Sequence, residues 1–136
     1  MSEQHSSATQ RMPTTAEIVR QFVERMNSGG SQTFPLFGEH LEWIEVHSGR
    51  RGGRQELFAA MGESRAQFES VSFEPVSTIV EGDNAALEGQ WSATIISTGR
   101  RITVSLVFML SVRDGRIVRE IDYVIMPPDL LKGLSE

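Results

Sequence analysis

From residue 68 almost to its carboxy terminus the chain reads as strand and turn, and this long run of period-two patterning limits the fold more than any other feature. Residues 71–80 read as one strand, interrupted by Pro75, which suits an edge or a bulge. Glu81-Gly82-Asp83-Asn84 is a tight-turn signal. Residues 85–97 then alternate, with Ala85, Leu87, Gly89, Trp91, Ala93 and Ile95 on one face. Thr98-Gly99-Arg100 turns into residues 102–112, where Ile102, Val104, Leu106, Phe108 and Leu110 share a face. Arg113-Asp114-Gly115-Arg116 turns again into a last strand over residues 117–124. Four long strands joined by short turns predict an antiparallel meander.

The first half is helical. Thr14 and Glu17 form a capping-box pattern, followed by Ile18, Val19, Phe22, Val23 and Met26 at helical spacing. Asn27-Ser28-Gly29-Gly30 stops that helix. A short helical turn over residues 33–37 is broken by Pro35, and residues 41–47 alternate as a strand that puts Trp43, Glu45 and His47 on one face. Residues 49–53 read as a solvated loop carrying Arg50 and Arg51, with Arg54 just after it. Residues 55–67 form a second helix with Leu57, Phe58 and Met61 as its buried stripe. The expected fold class is α+β, with helices packed on one face of a curved, mostly antiparallel sheet.

Bulk properties narrow the function. At 136 residues, residues 13–136 read as a single domain behind a polar, disordered tail over residues 1–12 that lacks the apolar stretch of a secretory signal. No apolar run approaches 18 residues, so no membrane span is expected. A net charge of −5 argues against a nucleic-acid partner. The absence of cysteine excludes thiolate chemistry and fits a reducing, cytoplasmic location. Three scattered histidines and no cysteine give no metal-ligand spacing, and no cofactor is expected.

Asp122 is the residue that points to chemistry. In the last strand the even positions are Val118, Glu120, Asp122, Val124 and Met126, so the acid sits on a mostly apolar face. Either that face is wet and the acid simply hydrated, or it is inward and the acid is retained for proton transfer; the pattern alone allows both. Glu45 is a second candidate acid–base group, with the alternative that it is solvated at a pocket mouth, and His47 is a candidate to orient it. Trp43 and Trp91 either stack on a flat ligand or fill the interior.

The chain resembles the nuclear-transport-factor-2-like superfamily in its SnoaL-like and limonene-epoxide-hydrolase-like branches. The resemblance rests on A-E-I-V-R-Q-F-V-E-R-M-N-S-G-G, L-F-G-E-H-L-E-W, G-G-R-Q-E-L, V-E-G-D-N-A-A-L-E-G-Q-W, V-R-D-G-R-I-V-R-E-I-D-Y-V and the trailing P-D-L-L-K-G-L. It implies a cone whose concave sheet face and helices enclose an apolar pocket for a small apolar molecule. Its walls would be Val23, Met26, Ala93, Val104, Leu106, Phe108 and Val124, with Trp43, Glu45, Gly89, Trp91 and Asp122 pointing in. The outer face would carry Thr103, Ser105, Val107, Met109, Ile121, Tyr123 and Ile125, the surface through which the resemblance implies a homodimer. The limonene-type enzymes use two Asp and an Arg. Asp122 matches one Asp, whereas Trp91 and Gly89 stand where the second Asp and the Arg would be. The SnoaL-type cyclases use an Asp matching Asp122, with a His that would fall near Phe108; the ketosteroid isomerases use a base near Glu45. The resemblance thus implies a cofactor-independent isomerase, cyclase or epoxide hydrolase acting on an apolar, oxygen-bearing ligand, or else a non-catalytic binding or dimerisation module of the same fold.

Overall fold

The computed structural model describes residues 11–125; the tail expected over residues 1–12, all but its last two residues, Met126 and the P-D-L-L-K-G-L segment lie outside them. Helix α1 (Thr15–Asn27) starts at the expected cap: the Glu17 amide donates to the Thr14 hydroxyl at 3.1 Å and the Thr14 amide to the Glu17 carboxylate at 3.0 Å. It buries Ile18, Val19 and Phe22. A 3₁₀ segment (Gly30–Leu36) follows and contains Pro35. Then come β1 (Phe37–Glu45), β2 (Arg50–Gly52), α2 (Arg54–Gln67), β3 (Phe68–Glu81), β4 (Asn84–Ile95), β5 (Arg101–Arg113) and β6 (Arg116–Ile125).

The six strands form one sheet in the order β2-β1-β6-β5-β4-β3. The meander β3–β6 is antiparallel as expected, while β1 joins β6 in parallel and closes the sheet with β2. α1 packs on β3 and β4, and α2 on β1 and β2. The buried face follows the predicted alternation: Ala85 faces Leu110, Leu87 faces Phe108, Gly89 faces Leu106, Trp91 faces Val104 and Ala93 faces Ile102.

Three local readings change. Residues 50–52, read as loop, are a short strand, because Arg50, Arg51 and Gly52 pair with Glu45, Ile44 and Trp43. β1 ends at Glu45, so His47 sits in the following turn rather than on the strand. In β6, Ile117 pairs with Val112 and Arg119 with Ser111, which leaves Val118 as a bulge. The bulge shifts the phase: Ile117 is buried and inward, and from Arg119 onward the even residues turn inward. Asp122 therefore faces in with Glu120 and Val124, but Val118 does not belong to that alternation.

The deep end of the cone is filled. Phe22 meets Phe108 edge-on at 5.1 Å and Phe37 at 6.3 Å, and Phe73 meets Phe108 at 5.5 Å. Toward the other end the packing loosens. There Ile102 and Val104 are buried, but Phe68, Trp91, Ile95 and Val124 remain partly exposed around them.

Candidate active site

β6 sits between β1 and β5, and the strand register fixes the neighbours of its two acids. Glu120 lies opposite Trp43 on β1 and Leu110 on β5; Asp122 lies opposite Glu45 and Phe108. The Val46 amide donates to the Asp122 carbonyl at 3.1 Å, which ties the end of β1 to this point. Trp43 is 2% exposed and Glu120 only 3%. Two buried polar atoms here have no fixed partner, the indole Nε1 of Trp43 and Oδ1 of Asp122. Such orphans are rare inside proteins and cluster where chemistry or a ligand is to be accommodated.

The electrostatics follow from burial. Desolvation pushes the Asp122 carboxyl up to about 7, and the nearby Glu45 charge adds to the rise. The proximity of the Glu120 carboxyl and then of the Trp43 indole opposes it. The indole N–H thus lies close enough to favour the carboxylate without closing a hydrogen bond to it. Glu120 is raised well above the usual carboxylate range, first by burial and then by Asp122. Two neighbouring carboxyl groups that both ionise repel each other, so ionised Asp122 favours the protonated form of Glu120.

Glu45 is placed beside this pair but is not a free base. Its Oε1 accepts from Arg50 Nε at 3.1 Å, Arg50 Nη2 at 3.0 Å and Ser48 Oγ at 2.6 Å. His47 Nε2 stands 3.7 Å from the same oxygen. Arg50, assigned to a solvated loop from sequence, also reaches Glu63 Oε2 at 2.9 Å and lies over the Trp43 ring at 5.8 Å. It neutralises the rim of the site and covers the indole.

The expected walls divide into three groups. Trp91, Val104 and Val124 gather at the loose end of the cone, where Trp91 packs edge-on against Phe68 at 5.1 Å. Leu106 and Phe108 are buried in the filled core. Val23 and Met26 pack on the outside of that core, and Val23 instead lines a shallow depression of about 260 Å³ with Val19, Arg20, Glu24, Pro75 and Thr78. A second depression, of about 580 Å³, lies over the outer face between His40, Glu42, Arg113, Arg116 and Arg119. Both lie away from Asp122. Gly89 has no room for a side chain: a Cβ there would overlap the Phe73 ring edge and the Glu74 carbonyl. An arginine at this position is sterically excluded, so the limonene-type triad has no counterpart.

Glu120 is the functional candidate that sequence reasoning passed over. Its signal was present, an acid two residues before Asp122 on the same alternating face. Among the described residues no group of three or more His, Asp and Glu is arranged to hold a metal ion.

Comparison with known proteins places this geometry in context. Solved structures with the same fold include AclR of Streptomyces galilaeus (TM-score 0.76, 21% identity, covering 87% of this chain and 83% of that one). Another is IdmH of Streptomyces antibioticus, described as a candidate polyketide cyclase (0.74, 19%, 90% and 99%). A third is a nuclear-transport-factor-2-like protein of unknown function from Burkholderia pseudomallei (0.73, 18%, 84% and 92%). No curated protein sequence matches the chain. A family model for the SnoaL-like domain matches residues 19–120, which ends two positions before Asp122. The chain therefore has a nuclear-transport-factor-2-like fold and belongs to the SnoaL-like domain family.

Proposed function

We propose that the protein is a cofactor-independent acid–base enzyme of the isomerase or cyclase type, acting on a neutral, apolar small molecule that carries a carbonyl oxygen. The observation that carries this reading is the pair of orphaned buried atoms, Trp43 Nε1 and Asp122 Oδ1, on one inward face. An indole N–H without an acceptor suits a ligand oxygen, and a carboxylate without a donor suits a ligand proton. With its pKa near 7, Asp122 is poised to act as a general base at neutral pH. It takes a proton from the carbon beside the carbonyl: the C–H bond breaks, its electron pair moves to oxygen as an enolate, and the new O–H bond forms on Asp122. Trp43 stabilises the enolate oxygen, and return of the proton at another carbon, or bond formation by the enolate, completes the reaction. The desolvated Asp122 carboxylate disfavours an anionic ligand. Trp91, Val104 and Val124 supply an apolar platform at the half-covered end of the cone. Glu45 and Arg50 act as the rim that holds Trp43, with His47 beside them.

A homodimer through the outer sheet face belongs to the same reading. Its support is a row of apolar residues in register across five strands: Ile44, Ile121, Met109, Ala86 and Ile79. The second reading, a non-catalytic binding module, is favoured by one observation, the Phe cluster that fills the deep end of the cone.

A thermal-shift panel of enones, steroids, polyketide-like aromatics and epoxides, run on wild type and Asp122→Asn, separates the two. The enzyme reading expects midpoints raised by neutral carbonyl ligands, followed by deuterium exchange at the ligand's α-carbon catalysed by wild type and lost in Asp122→Asn. Binding without exchange in both proteins would leave the module reading standing.

A further inference from the structure

Glu120 is the buried titratable group for which proton transfer at Asp122 alone provides no use. Two residues apart on one strand face, its Cα stands roughly 6.6 Å from that of Asp122, close enough for the side chains to meet. It is 3% exposed, it lies opposite Trp43, and the bulge at Val118 is what turns it inward together with Asp122. Leu110, its partner on β5, is buried and apolar. The groups with charge near this pair are few: Glu45 on β1, Arg50 on β2 bound to Glu45 and to Glu63 of α2, and His47 in the turn. The β5 residues facing the pair, Leu110 and Phe108, carry none.

A second carboxyl in this position has a physical consequence. Two ionised acids in contact, shielded from water, cannot coexist, so the pair keeps one proton. We propose that Glu120 is a positioning residue for the reaction: its buried carboxyl, two residues from Asp122 on the same inward face, donates to Asp122 and orients the free Oδ1 toward the ligand. This rests on the reading of Asp122 as the acid–base group.

The test is a ¹³C-carboxyl NMR titration of the ligand-free protein, wild type against Glu120→Gln and Glu120→Leu. In wild type, two coupled steps are expected, Asp122 near 7 and Glu120 well above the ordinary carboxylate range. In Glu120→Gln the amide replaces the donor, so a single raised step for Asp122 should remain within about half a unit of its wild-type position. In Glu120→Leu the donor is lost and the Asp122 step should rise by about one unit or more. If Glu120→Leu leaves the Asp122 step in place, or if Glu120 titrates in the ordinary carboxylate range, the proposal is overturned. Should the leucine variant fail to fold, the wild-type titration still decides through the position of the Glu120 step. No ligand is needed, so failure here is distinct from failure of the ligand panel. Where a substrate is in hand, Glu120→Leu should shift the pH midpoint of kcat upward and Glu120→Gln should restore it.

Discussion

Asp122 makes stability depend on pH in a direction set by its burial. Unfolded, it ionises near 3.8; folded, near 7. Between those values the native state retains a proton that the unfolded state has released, so stability falls as pH rises through this window. Below about pH 4 both states are protonated and the penalty is absent; above about pH 7 it is complete. Asp122→Asn removes the term. The variant should be more stable than wild type at pH 8, by about 1–3 kcal/mol, with the difference shrinking toward zero near pH 4. Urea denaturation of both proteins at pH 4, 6 and 8 measures this. A variant less stable than wild type at pH 8 would mean that the carboxylate anchors the fold instead. The inward direction of Asp122 was legible in the sequence once the family resemblance oriented the strand. Glu120 and Val124 share its face as the period-two reading has them, but Val118 does not, because that reading cannot reveal a bulge that inserts one residue there.

At the scale of elements, β3 and β4 are locked by one missing side chain. Phe73 on β3 leans across Gly89 on β4, and its backbone is gripped at the same place by Asn27 at the end of α1. The Asn27 amide donates to the Phe73 carbonyl at 2.9 Å and accepts from the Phe73 amide at 2.7 Å. A helix end, an edge strand and a central strand therefore meet at one point. Gly89→Ala should destabilise the fold by about 2–3 kcal/mol, because the displaced ring is itself core and cannot move freely. Phe73→Leu in the same chain should recover part of that loss, a coupling that a double-mutant cycle on denaturation midpoints would read. The alternation of β4 and β5 was visible residue by residue, since apolar and polar positions differ sharply in chemistry. The Asn27 clamp was not, because an Asn before Ser-Gly-Gly carries the same signal whether it ends a helix in solvent or reaches a strand 46 residues away. Likewise β2 escaped notice: three residues rich in arginine and glycine have no strand propensity of their own, and only pairing with the end of β1 makes them one.

Over the whole molecule, the sheet has two faces with different occupants. Helices and the Phe cluster cover the inner one. Across the outer one runs the row Ile44, Ile121, Met109, Ala86 and Ile79, flanked by Tyr123, Val107 and Ile125. Ile121 is shielded by its cross-strand neighbours at 7% exposure, but Met109 at 40%, Tyr123 at 44%, Ile79 at 66% and Ile125 at 65% are not. Scattered exposed apolar residues need no explanation, but a continuous band in register across five strands does. An apolar band on a sheet face can pair with its own copy about a two-fold axis, and stable dimers bury about 800 Å² per partner. The central row carries no ionisable group; at its flank stand the Tyr123 phenol and Glu88, which lies opposite Val107. Met109→Glu places a charge at the centre of the band, directly opposite Ile121 and Ala86, without disturbing the inner face. Wild type should sediment at twice the 15.2 kDa chain mass and Met109→Glu at the monomer mass, with unchanged circular dichroism. Ser92→Glu, on the outer face but beyond the apolar row and bonded to Thr103, should remain dimeric. If both proteins and wild type all sediment as monomers, the band is not a contact between copies, and the exposed apolar surface must serve another partner.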